Sequence, residues 1–241
     1  LHQMKVFGFP LNEQFTSREG LARSGLGGLF LGFTLTSGFF LAVFSPGLRQ
    51  FALYMLVVSI FHVLEFVLTA VHHPETLSFD SWLLDHSPAY HAALAGAIVE
   101  YWLEYALFGA SGKWSTVVVL LGLLVALSGQ TLRTVAMWQM GVNFTHLVSY
   151  EKKENHKLVT DGVCRFSRHP SYTGWFWWSL STQLILCNPV CFFAYFYASF
   201  KFFDERIREE EKTLLYFFGD QYRDFHAKTP TYIPFVNPPL P

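Results

Sequence analysis

Charge is what these 241 residues have least of. Only 15% are Asp, Glu, Lys or Arg, against about 25% in a soluble domain, so an ordinary water-facing surface is excluded. Net charge is −1 and no basic block tracks along the chain, which argues against nucleic acid as a partner. The three cysteines, Cys164, Cys187 and Cys191, are too few for a disulfide framework, and the last two, within apolar sequence, read as buried thiols. Leu1-His2-Gln3-Met4 opens no charged n-region, apolar stretch and small-residue cleavage site, so no cleavable signal peptide is expected. Because the first residue is not Met, the natural protein is expected to extend upstream. No Gly-x-Gly-x-x-Gly stands between a strand and a helix, and strands do not alternate with helices, which excludes a Rossmann nucleotide site.

What is abundant is apolar. Hydrophobic residues make up 51% of the chain, aromatics 18%, and there are 26 Phe. Several runs approach the ~20 residues that cross a bilayer core, so the sequence reads as an all-α integral membrane protein with about six transmembrane helices. Residues 20–44 form the first run. Gly28-x-x-x-Gly32 on it is either a small-residue face for close helix approach or a feature of a merely flexible, glycine-rich helix. Ser45-Pro46-Gly47 break it, and residues 48–71 form the second span, with His62 and Glu65 one turn apart. An ionisable pair at that depth is a candidate site or an interhelical hydrogen-bond pair. Residues 72–87 make a polar loop in which His72, His73 and later His86 and His91 lack a Cys or carboxylate at ligand spacing, so no metal is expected.

Ser87-Pro88 supply an N-cap and N1 pair for the third span, 89–108. It carries Glu100 and Glu104 at i,i+4, which need a cation or a proton, and Arg133 is the expected partner. Ser111-Gly112 turn into a fourth span, 114–140. A polar stretch, 141–170, precedes the apolar run 175–187, which turns at Asn188-Pro189 into 190–200. This reads as a helical hairpin, or else one kinked helix. Residues 201–228 read as a helix leaving the membrane, and prolines at 230, 234, 238, 239 and 241 end regular structure. The chain thus divides into four N-terminal spans (1–140) and a region carrying the hairpin and C-terminal segment (141–241).

Charge orients this arrangement. Of 17 Lys and Arg, residues 133, 152, 153, 157, 165 and 168 lie before the hairpin and 201, 206, 208, 212, 223 and 228 after it. With six crossings both groups share the N-terminal side, which the positive-inside rule makes cytosolic. The Asn143-Phe144-Thr145 sequon should then escape glycosylation. Polar groups gather at the same side. Arg206 and Glu210 share a helix face at i,i+4, and His169-Pro170-Ser171-Tyr172 begin a helix whose free N–H groups favour an anion. A solvated, charged helix end is the plainer alternative.

Over most of its length the chain resembles the isoprenylcysteine carboxyl methyltransferase family. The resemblance rests on N143-F, H156-K-L-V-T-D-G-V, R168-H-P-S-Y-T-G-W, L186-C-N-P, F202-F-D-E-R-I-R-E-E-E, F218-G-D-Q-Y and P230-T-Y-I-P-F, and upstream on F61-H-V-L-E-F and S78-F-D-S-W. It implies an endoplasmic reticulum membrane enzyme with its site facing the cytosol. That enzyme would transfer methyl from S-adenosyl-L-methionine to the C-terminal carboxylate of a prenylated cysteine, the end of processed CaaX proteins such as small GTPases.

Carried residue by residue, the resemblance assigns the cofactor to Ser149, His156, Leu158, Val159, Cys164, His169, Pro170, Ser171, Tyr172 and Glu210. The pocket would be built from loop 141–173 and the C-terminal helix. Two of these positions depart from the family pattern, with Cys164 where Tyr is expected and Ser149 where Gln is. Arg206 would grip the substrate carboxylate, and Glu210 would orient it or balance the cofactor's charge. Trp178 would touch substrate, with Trp175 and Trp177 lining the lipid route or forming an interfacial belt. The family often has two further N-terminal spans. R-H-P-x-Y is shared with phospholipid methyltransferases and sterol reductases, so a lipid-modifying enzyme is the alternative and a non-catalytic scaffold the third reading.

Overall fold

A computed structural model describes residues 5–6, 9–113, 115–144, 146, 148–152 and 156–240. Apart from a two-residue antiparallel pair, β1 (Lys5–Val6) and β2 (Phe9–Pro10), its extended elements are helices. They are α1 (Glu13–Thr16), α2 (Arg18–Phe44), α3 (Arg49–His72), α4 (Pro88–Lys113), α5 (Thr116–Met140), α6 (Pro170–Leu186), α7 (Pro189–Phe218) and α8 (Asp220–Lys228). Three helical stretches among the described residues are long and apolar enough to cross a bilayer: Arg18–Phe44, Pro46–His72 and Thr116–Asn143. The two-helix hairpin breaks at residues 187–188, as Asn188-Pro189 requires, and one long kinked helix is not formed. Thr145 of the sequon lies outside the described residues.

Two compact units divide the chain. The first comprises Leu1–Ala126 and Ser181–Phe192. Here Ser17 caps α2 by accepting from the Gly20 N–H at 3.0 Å, and Gly38 seats α2 on α3, where a Cβ would meet the Ala52 carbonyl at 3.2 Å. The Gly28-x-x-x-Gly32 face is not a helix seam. Gly28 looks onto the Trp82 ring and Gly32 meets nothing within 4 Å, while Gly27 admits Phe79 and Trp82. The glycines make room for loop 73–87, whose Trp82 stacks on Phe66 at 3.8 Å. His62 is buried between the Trp82 carbonyl at 2.8 Å and the Tyr90 hydroxyl at 3.0 Å. A carbonyl only accepts, so Nδ1 carries the proton and Nε2 accepts from Tyr90.

The carboxylates of α4 find partners other than Arg133. Glu100 accepts the Val190 and Cys191 N–H groups at 2.7 and 2.6 Å, supplying the anion that a helix N-terminus favours. Glu104 pairs with Lys113, whose ammonium also reaches the Cys187 carbonyl at 3.2 Å and the Asn188 side chain at 3.0 Å. Asn188 in turn donates to the Ala97 carbonyl at 2.8 Å. This clasp holds the hairpin turn, including Cys187 at φ 51°, and explains Leu186-Cys-Asn-Pro. Lys113 was hidden in sequence because it follows Ser111-Gly112, an expected turn. The helix instead breaks at Gly109 (φ 69°) and resumes, carrying Lys113 inward.

The second unit comprises Leu127–Leu180 and Phe193–Pro241. Arg133 belongs here. It is almost wholly buried, donates to the Ser171 carbonyl and hydroxyl at 3.3 Å, and lies over the Trp175 ring at 4.7 Å. α5 and α6 touch backbone to backbone through Gly129 and Gly174. A Cβ on Gly174 would stand 2.6 Å from the Gly129 carbonyl and 2.8 Å from the Arg133 nitrogen. Neither can move without its helix, so Gly174→Ala is expected to cost about 1–3 kcal/mol. Thermal unfolding in detergent checks this, and Gly32→Ala, which meets open space, should not lower the midpoint, since Ala is favoured over Gly in a helix interior by about 0.5–1 kcal/mol.

α7 is continuous from Pro189 to Phe218, so the exit helix is the same helix as the hairpin's second limb. Its buried side chains Phe203, Ile207, Glu211 and Phe217 form one stripe at helical spacing. Gly219 at φ 54° then ends it and starts α8.

Candidate functional site

The site lies where the N-terminus of α6 meets the charged half of α7. Chain turns at residues 140–143 and 157–163 are fixed by two side-chain amides. Asn143 accepts the Lys157 N–H at 3.0 Å and donates to the Met140 carbonyl at 3.3 Å. Gln139 donates to the Asp161 carbonyl at 2.7 Å and accepts the Val163 N–H at 3.0 Å. Gly162, at φ 54°, is required twice over, since a Cβ there would overlap the Gln139 amide at 2.1 Å and the left-handed backbone disfavours any other residue. Lys152 ties the preceding stretch to the end of α7 through the Phe217 carbonyl at 2.7 Å, its ammonium also lying 4.8 Å from the Phe218 ring centre. His156 is flanked by the Phe217 and Phe218 rings at 5.7 and 5.4 Å.

These turns border a partly open cavity. Ser149, His156, Leu158, Val159, Cys164, His169, Pro170, Ser171, Tyr172 and Glu210 all line it, so every sequence-derived cofactor position converges on one space. Arg206 and Trp178 are not among its lining residues. Arg206 is joined to it by Tyr172, whose hydroxyl donates to Glu210 at 2.6 Å and accepts the Arg206 Nε–H at 3.1 Å. A second Arg206 N–H goes to the His146 carbonyl at 2.6 Å.

The three tryptophans diverge, as about 100° per residue on a helix dictates. Trp175 packs on Phe202 and Phe203, Trp177 is 39% exposed, and Trp178 is buried against Gly129.

Residues missed in the sequence reading complete the walls. Phe144, Leu214, Phe217, Phe218 and Phe225 add apolar surface, and Arg168 and Tyr222 add polar groups. Beneath them Glu211, 2% exposed, takes Arg168 Nε and, at 3.2 Å, His169 Nε2 on one carboxylate oxygen, with His226 3.5 Å from the other. Burial alone would raise the Glu211 carboxyl, but the hydrogen bonds and charges of His169 and Arg168 outweigh it and hold the group below its ordinary value near 4.5. Since the carboxylate only accepts, His169 carries its proton on Nε2. The Tyr222 hydroxyl is pushed up, first by burial and then by the Glu211 charge, and stays protonated.

One signal marked Glu211 in advance: it falls on the apolar stripe 203, 207, 211, whereas Glu209 does not. Cys164 is buried, and burial followed by the Asp161 charge pushes its thiol up to about 11. It is therefore expected to resist alkylation at pH 8, read by mass after iodoacetamide treatment of the folded protein.

Comparison with known proteins fits this geometry. The sequence profile of the isoprenylcysteine carboxyl methyltransferase family matches residues 120–216, from within α5 to near the end of α7. A protein-S-isoprenylcysteine O-methyltransferase of Dictyostelium discoideum is 40% identical over 220 residues, 91% of this chain and 92% of that protein. The chain belongs to the isoprenylcysteine carboxyl methyltransferase family. Relatives of the same name from Xenopus laevis and Homo sapiens are 43% and 42% identical, each over 86% of this chain and 72% of theirs. A solved structure described as the eukaryotic intramembrane Ras methyltransferase superposes with a TM-score of 0.87 at 40% identity, covering 93% of this chain and 80% of that one. Membership and the three apolar helices make this family member a multi-pass membrane enzyme.

Proposed function

We propose that this chain transfers the methyl group of S-adenosyl-L-methionine to the C-terminal carboxylate of a prenylated cysteine, as borne by processed CaaX proteins such as small GTPases. One observation carries the reading: ten residues from two separate segments line a single cavity, and Tyr172 links its Glu210 to Arg206. The donor set suits that cofactor. Phe144, Phe217 and Phe218 with Leu158 and Val159 offer apolar walls for a purine, and Glu210 and the first turn of α6 offer partners for its charged end. When bound, the cofactor supplies an electrophilic methyl on a sulfonium.

The chain's own residues do the rest. A C-terminal carboxylate, with a reference pKa of about 3.3–3.7, is already ionised, so no general base is needed. Arg206 holds the carboxylate through its planar fork, while Tyr172 and the His146 carbonyl fix the guanidinium. The apolar walls exclude water from a weak nucleophile. Positioning supplies the acceleration.

Around this site we assign six crossings, adding α4, α6 and the apolar first half of α7 to the three apolar helices, with residues 141–241 as the catalytic region. α6, at 17 residues, is about 26 Å long, slightly short of a ~30 Å core. The distribution of Lys and Arg supports a cytosolic site, and the reading places the protein in the endoplasmic reticulum.

Purified protein incubated with radiolabelled S-adenosylmethionine and farnesylcysteine should yield a base-labile methyl ester. Label appearing in phospholipid instead, or no label at all, would overturn the assignment.

A further inference from the structure

Beyond α8 the chain has no helix, yet residues 229–237 are tightly held. Their inward side is a series of hydrogen bonds to the pocket's base. The Arg168 N–H donates to the Pro230 carbonyl at 3.1 Å, and its guanidinium donates to the Thr229 carbonyl at 2.7 Å and the Asn237 side chain at 2.9 Å. Ser167 and Thr173 hydroxyls both donate to the Thr231 carbonyl, and the Trp177 indole N–H donates to the Tyr232 carbonyl at 3.1 Å. Thr229, Thr231, Ile233 and Val236 are buried accordingly.

The outward side is aromatic. Tyr232 is 58% and Phe235 84% exposed, and both sit at positive φ, 57° and 63°. Such backbone is disfavoured for bulky residues and is retained here in a turn that aims two rings away from the protein. Where they lie is set by their neighbours. The Phe235 ring stands edge-on to Phe200 of α7 at 6.5 Å, and Tyr232 is bonded to Trp177 of α6. Phe200 and Trp177 belong to the two apolar limbs of the hairpin, whose Phe193 and Tyr197 are 72% and 67% exposed. The two rings therefore continue a surface that already faces lipid if the hairpin crosses the bilayer.

We infer that the Tyr232–Phe235 turn is a membrane-interface anchor: its two rings enter the boundary between headgroups and acyl chains beside the hairpin. The proposal rests on the reading of α6 and α7 as membrane-crossing. A tyrosine suits the headgroup level, and the neighbouring phenylalanine reaches the hydrocarbon. A protein partner would have to displace the lipid that the adjoining hairpin surface already contacts, so the bilayer is the occupant. Since the same strap carries three of Arg168's hydrogen-bond partners, the bilayer surface would then steady one wall of the pocket.

The test uses the full chain in phosphatidylcholine nanodiscs, spin-labelled at Phe235→Cys, Tyr197→Cys or Asp220→Cys, with the labelled unsubstituted protein as blank. Accessibility to dissolved oxygen is compared with accessibility to a water-soluble nickel chelate. The label at 235 should favour oxygen several-fold, at a shallower depth than 197, while 220, on a side chain 92% exposed, should favour nickel. A nickel-accessible 235 beside a lipid-embedded 197 would overturn the anchor and leave the hairpin standing. A 235 label inaccessible to both reagents would also overturn it, pointing to a protein partner or a second copy. A nickel-accessible 197 would overturn the hairpin reading and the anchor with it.

Discussion

Arg206→Ala should lower methyl-ester formation by about 10²-fold, ~3 kcal/mol, the scale of loss when a reacting group slips by about 1 Å. Cofactor affinity should stay within a few-fold, because Arg206 does not line the cavity that Glu210 and His169 line. Initial rates with farnesylcysteine, alongside calorimetric titration of S-adenosylmethionine, separate the two quantities. Arg206→Lys should recover only part of the loss, since a point charge cannot reproduce the fork. Tyr172→Phe should produce a smaller fall, as it removes the hydroxyl that aligns the Arg206 guanidinium at 3.1 Å. Normal turnover in Arg206→Ala would remove this side chain from the reaction.

Glu211→Leu should be the most destabilising of the substitutions considered. It leaves the buried Arg168 guanidinium without its anion, a change that typically costs about 3–5 kcal/mol. At this chain length that is about 6–20 °C of midpoint. Glu209→Gln, two residues away and paired with the exposed Lys212, should stay within about 0.5 kcal/mol. Acid should mimic the first change. Because the folded carboxyl of Glu211 lies below its ordinary value, its contribution is fully present above about pH 4.5 and is lost as pH falls through the lower folded value. Thermal midpoints between pH 3 and 7 for the parent and Glu211→Gln should therefore converge at the acidic end. Parallel curves across the range would show that the carboxylate charge is not what holds Arg168.

Hydrophobic runs and Pro or Gly breaks made most helix positions legible in the sequence, since a chain short of charge has few ways to satisfy its backbone in a bilayer. The ten positions that the resemblance assigns to the cofactor come together around one cavity. Partnership was much less legible. Glu104 was matched to Arg133 because the true partner, Lys113, sits past a helix break that looked like the end of the helix. Glu211 went unremarked beside Glu210 because consecutive glutamates look alike in one dimension, while the helix buries the third. Sequence distance hid the C-terminal strap in the same way, as the strap partners of Arg168 are more than sixty residues away.

Counting protons at Tyr172 gives the site a polarity. Its hydroxyl has a single hydrogen, and that hydrogen is committed to Glu210, leaving only lone pairs toward Arg206. The phenol therefore cannot also donate to an arriving carboxylate. Arg206 has five N–H groups, of which one faces Tyr172 and one the His146 carbonyl. Among the described residues that leaves up to three to receive an anion. A ligand that drew the phenol's proton away from Glu210 would re-aim the lone pairs that face Arg206, so occupancy on one side of Tyr172 is felt on the other through one oxygen atom.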